Sequence, residues 1–211
     1  MNKTTTQYFA YFAVAAALSW GAAPLVNAQA DVNASVSVAN MYYWRGFDLG
    51  NGDPAVSADL NVSAGGAYAG VWASSGDATN GTEYDLYLGY GQEFGDLSLG
   101  INYTSYVYPS APAPVDPFDA GEVILTAGYG PVSVAYYHGV EDFDELWYST
   151  VAAEFGAFSI KYGLHDSDYA HIDLGYAYND NLSFILGVPV DDADTGNDEP
   201  NFVVSYTLPI E

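Results

Sequence analysis

From Asp31 onward, apolar and polar residues alternate with a period of two along almost the whole chain, which leaves few folds open. Val56, Ala58, Leu60 and Val62 alternate with Ser57, Asp59, Asn61 and Ser63. Tyr84, Leu86, Leu88 and Tyr90 alternate with Glu83, Asp85, Tyr87 and Gly89. Leu97, Leu99, Ile101 and Tyr103 do the same against Ser98, Gly100, Asn102 and Thr104. Successive side chains of a strand point to opposite faces, so each segment has one apolar and one polar face.

The pattern recurs in twelve segments, at 32–46, 54–64, 67–75, 82–91, 97–108, 119–129, 131–140, 145–155, 157–165, 168–178, 181–190 and 200–209. Most are about ten residues long, the length a tilted strand needs to cross a bilayer core. Their connections sort by length. After even-numbered segments come tight turns such as Gly65-Gly66, Gly130-Pro131, Gly156 and Asn179-Asp180-Asn181, with a slightly longer one at 92–96. Odd-numbered segments are mostly followed by longer acidic or Pro-rich loops, among them 48–53, 75–81, 109–118, 139–145 and 191–199. Outer-membrane barrels have an even strand number, short periplasmic turns and longer external loops. A polar, small-residue face cannot form the core of a soluble sandwich, so the apolar face must meet lipid and the polar face water. The expectation is an all-β transmembrane antiparallel barrel of about twelve strands in an up-and-down meander. Tyr42, Trp44, Tyr90, Tyr103, Tyr129, Trp147, Tyr178 and Tyr206 fall near segment ends, where interfacial aromatic girdles sit.

Composition excludes several partners. The chain carries 27 acidic against 3 basic residues, a net charge of −24. That balance opposes nucleic-acid binding and docking on anionic lipid through a basic patch. No cysteine is present, so disulfides and thiolate metal sites are excluded. The first thirty residues read as a secretion signal, with Lys3, an apolar run over 8–18 and Ala28-Gln29-Ala30 as the cleavage site. Residues 31–211 are then the barrel, placed in the cell outer membrane against its lipid.

Several stretches carry a family resemblance: Asn-Met-Tyr-Tyr-Trp-Arg-Gly at 40–46, Pro54-Ala55, the run 65–75, Glu-Tyr-Asp-Leu-Tyr-Leu-Gly-Tyr at 83–90, Tyr108-Pro109 and Glu122. In that order they resemble the TorF-like porin family of proteobacteria, and the resemblance implies a transmembrane barrel with a pore role. The C-terminus departs from the common barrel pattern. Phe202, Val204, Tyr206 and Leu208 alternate, but the chain ends Pro209-Ile210-Glu211 rather than on an aromatic residue.

The charged residues expected on the lumen face are Arg45, Asp59, Glu83, Asp85, Glu122, Glu154, Lys161, His171 and Asp173. Carboxylates outnumber bases there, so a passing solute would be hydrophilic, with cations favoured. Arg45, the only arginine, could anchor an inward-folded loop or narrow the pore mouth. The alternative is mutual pairing of these groups inside a closed lumen. The acidic loop 191–199 offers Asp192, Asp194 and Asp198 as weak candidates for a divalent cation. His138, His165 and His171 stand near Asp166, Asp168 and Asp173, but no G-x-S-x-G or H-E-x-x-H motif occurs, so no enzymatic role and no cofactor are expected. The first reading is a porin passing small hydrophilic solutes by diffusion. Its rivals are a closed structural or surface-interaction barrel and a secreted soluble all-β binding module.

Overall fold

The computed structural model describes residues 30–210, and the expected secretion signal lies outside that range but for its last residue. The chain begins with β1 (Asp31–Ala39) and then forms a miniature hairpin, β2 (Tyr43–Trp44) and β3 (Phe47–Asp48). There follow β4 (Ala55–Ala64), β5 (Ala67–Asp77), β6 (Gly81–Phe94), β7 (Leu97–Tyr108) and β8 (Val115–Tyr129). The second half supplies β9 (Val132–Glu141), β10 (Trp147–Phe155), β11 (Phe158–His165), β12 (Ala170–Ala177), β13 (Leu182–Asp191) and β14 (Asn201–Ile210).

Twelve of these, all but β2 and β3, form one closed barrel in which every strand pairs antiparallel with its chain neighbours. Closure is made by β1, which pairs with β4 from Asp31↔Ser63 to Ala39↔Ala55 and with β14 from Ala34↔Ile210 to Ala39↔Ser205. No strand edge is left open, which is what a sheet in hydrocarbon requires. The terminal strand runs through Pro209, paired with Ser35, despite its non-aromatic end.

The alternation of the sequence sets which face is buried, and it is the polar one. Along β6, Glu83, Asp85 and Tyr87 are buried while Leu88 and Tyr90 are exposed. Asn61, Asn102 and Glu122 are buried on their strands, and Val56, Leu60, Leu99, Ile101 and Leu125 face outward. A contiguous apolar exterior far exceeds the patches that soluble monomers expose. Together with closure and the sorting of turns and loops to opposite ends, it makes this an outer-membrane type of barrel. Tyr90, Tyr129, Tyr178 and Tyr206 are exposed on it.

The first segment differs from its sequence-based expectation. It ends at Ala39 rather than continuing to residue 46, and residues 41–50 fold inward over the lumen while 51–54 return exposed to β4. Trp44 pairs with Phe47, which leaves Arg45 and Gly46 as a two-residue turn. Both have positive φ, 48° and 96°, as the type I′ hairpin turn demands. Asp48 then turns the chain back, its carboxylate accepting from the backbone N–H groups of Gly50 and Gly52 at 2.9 and 2.7 Å. Tyr42 and Trp44 therefore belong to an inner plug and not to a lipid-facing girdle.

A plugged lumen as the candidate functional site

The hairpin is held by groups projecting inward from β6 to β14. At its tip the Arg45 guanidinium makes a two-pronged pair with Glu122 of β8, Nη1 to Oε1 at 2.8 Å and Nη2 to Oε2 at 2.5 Å. Tyr106 of β7 donates its hydroxyl to the same carboxylate at 2.7 Å. The rings of Trp44, Tyr137 and Tyr148 surround the guanidinium at 4.4, 4.3 and 4.6 Å from its carbon. Burial opposes the charge on Arg45, but Tyr106 and Glu122 outweigh it and push its pKa upward, so it stays a cation.

The turn's backbone is bound as firmly. The Arg45 carbonyl lies 2.9 Å from Nε2 of His165. The Gly46 carbonyl accepts from the Tyr169 hydroxyl at 3.2 Å and from the amides of Asn197 and Asn201 at 3.0 and 3.3 Å. Burial also raises the Tyr169 hydroxyl's pKa to about 12, keeping it a neutral donor. Gly46 has no room for a side chain, since an added Cβ would meet the Tyr169 hydroxyl at 2.6 Å.

The plug's two tyrosines reach opposite walls. Tyr42 donates to Glu83 of β6, beside Asp85, whose Oδ1 is buried without a hydrogen-bond partner. Tyr43 crosses over Gly187 of β13 and donates to Asp173 Oδ1 of β12 at 2.5 Å. Asp173 is the hub of a chain of groups. Nδ1 of His171 lies 2.9 Å from its Oδ1, and Nε2 of His171 faces the Tyr148 hydroxyl at 2.9 Å. Lys161 Nζ stands 2.8 Å from Oδ2, off the direction of an aligned hydrogen bond, so this is an ion-pair contact.

All nine charged candidates thus lie inside: Arg45 on the plug, the other eight on the inner wall. Glu154 and Asp59 are half-buried there, with Asp59 accepting from Tyr87 at 2.9 Å. His165 and His171 also come together, their rings 6.2 Å apart, although they flank a loop in sequence. Asp192 and Asp194 lie in the β13–β14 loop with the Asp192 carboxylate turned to the loop's own backbone, and among the described residues no three His, Asp or Glu side chains converge on a metal position. The same loop instead supplies Asn197 to the plug. Sequence reasoning passed over Tyr43, Tyr106, Tyr148, Tyr169, Asn197 and Asn201, because hydroxyl and amide anchors in strands and loops carry no spacing signal.

Comparison with known proteins places the chain. A family profile described as "Bacterial protein of unknown function (Gcw_chp)" matches residues 25–204. The chain belongs to this family. No curated protein matches it. Among solved structures it is similar to outer membrane phospholipase A from Escherichia coli, at 12% identity over 86% of this chain and 90% of that one, with a TM-score of 0.43. It is also similar to the Salmonella typhi outer membrane phospholipase dimer with bound calcium, at 13% identity over 86% and 90% of the two chains, with a TM-score of 0.40. These neighbours correct one expectation. Both are phospholipases, hence enzymes, which overturns the expectation of no enzymatic role that rested on missing motifs. At this identity and TM-score they carry no activity over to this chain.

Proposed function

We propose that the protein is a porin-like outer-membrane channel whose lumen is closed by the β2–β3 hairpin and which passes small hydrophilic solutes when that hairpin withdraws. The observation that carries this reading is the direct pairing of β1 with β4 along their full length. The wall closes without the hairpin, so the hairpin is an insert in the lumen rather than a part of the barrel. The resemblance of residues 40–46 and 83–90 to the TorF-like porins supports the same reading.

Charge supports a preference for cations. Arg45 is taken by Glu122 and Lys161 by Asp173, while Asp59, Glu83, Asp85 and Glu154 have no basic partner among the described residues. A carboxylate-lined passage with low-dielectric walls favours cations.

The test is planar-bilayer recording on the parent chain and on a chain with residues 40–54 replaced by a two-residue Asn-Gly turn. The parent should show rare or small openings, and the shortened chain a steady, cation-selective conductance. A shortened chain that folds, as judged by heat-modifiable migration on gels, yet never conducts would overturn the reading. That result would favour a permanently closed structural barrel, the reading that the density of bonds on Arg45 and Gly46 supports.

A further inference from the structure

Beneath the plug the lumen holds a cavity of about 210 Å³. Tyr42, Tyr43 and Arg45 form its roof, and it extends to Asn181 in the β12–β13 turn, hence toward the short-turn end. That volume is below the roughly 300 Å³ at which pockets for drug-sized ligands begin, so its occupant is small. Four charged residues line it: Arg45, Asp59, Lys161 and Asp173. Two of them are already spent. Arg45 is matched by Glu122, and Asp173 is taken by Tyr43, His171 and Lys161.

The other two keep capacity. Lys161 has 38% of its side chain exposed, and an ammonium has three donors, of which Asp173 can take one. Asp59 gives one oxygen to Tyr87 and has acceptor positions to spare. They stand on β11 and β4, separated by β12, β13, β14 and β1 in the ring of twelve, and so on nearly opposite walls. A neutral sugar would leave Asp59 without a cation and give Lys161 no anionic acceptor beyond Asp173, and a simple ion would serve only one of the two. An α-amino acid carries its two charges on one carbon, a short span for groups set on walls several strand spacings of about 4.8 Å apart. A linear molecule with an ammonium at one end and a carboxylate at the other matches both.

We propose that this cavity binds a short linear zwitterion, in chemical class a di- or tripeptide, with Lys161 holding its carboxylate and Asp59 its ammonium. The assignment rests on the reading above that solutes enter the lumen. Trp72 lines the cavity and serves as a reporter. Folded full-length protein in detergent, titrated with triglycine, should show a saturable change in tryptophan fluorescence. Lys161→Met and Asp59→Asn should each weaken it about tenfold or more, equivalent to losing one charge-assisted contact, while Lys161→Arg retains it. Heat-modifiable migration checks that each variant is folded. Glucose and butylammonium should give no saturable response. A triglycine response unchanged in both charge-removing variants, an equal response to glucose, or none at all overturns the proposal. Conductance of the shortened chain is measured without peptide, so the two readings fail separately. Conductance without triglycine binding removes the pocket alone, and binding without conductance removes the channel alone.

Discussion

Arg45 sits at a φ of 48°, a left-handed conformation that costs a non-glycine residue about 1–3 kcal/mol unless its surroundings impose it. The surroundings here are a two-pronged carboxylate, three aromatic rings and a histidine on its carbonyl. Breaking a buried ion pair by removing one partner costs about 3–5 kcal/mol, because the other charge is left uncompensated. Arg45→Ala should therefore free the hairpin while leaving the wall intact. Hydrogen exchange read by mass spectrometry should speed up over 42–49 and stay slow in the strands. Equal loss of protection in the wall would contradict this. Arg45 was legible as a loop anchor because it is the single arginine among many carboxylates. Its partner was not, since which of six carboxylates lies across the lumen depends on strand stagger, which alternation does not encode.

At the scale of elements, the alternating segments were legible because the same rule governs each of them: one face to lipid, one to the lumen. The misread first segment shows the limit of that rule. Tyr42 and Trp44 continue the alternation beyond Ala39, but the hairpin they enter is itself a strand pair, so period two holds in the plug as in the wall. The signal of departure was Arg45-Gly46, a two-residue turn able to take positive φ at both positions. Seating the plug further requires a bare backbone where Tyr43 passes, and an added Cβ at Gly187 would lie 2.0 Å from its hydroxyl. Gly187→Val should displace Tyr43 from Asp173 and raise channel opening in bilayer recordings, with the barrel still heat-modifiable. Unaltered opening would count against Tyr43 as a seat of the plug.

For the whole molecule, the inverted distribution of polarity gives the strongest handle. Leu88 faces outward, 55% exposed, midway along β6, and Asp85 three residues earlier faces inward, 3% exposed. Leu88→Arg places a charge in lipid and should destabilise the folded barrel in vesicles by about 2–4 kcal/mol. A soluble protein would tolerate arginine at so exposed a position. Whether residues 41–50 lie within the lumen decides the plugged state. The sequence contains no cysteine, so single introduced thiols report without background. The decisive measurement is labelling of folded protein in lipid vesicles with a bulky, membrane-impermeant maleimide, comparing Trp44→Cys in the plug with Ser110→Cys in the exposed loop between β7 and β8. Ser110→Cys should react at once, and Trp44→Cys only after unfolding. Equal labelling rates in the folded barrel would contradict the plugged lumen.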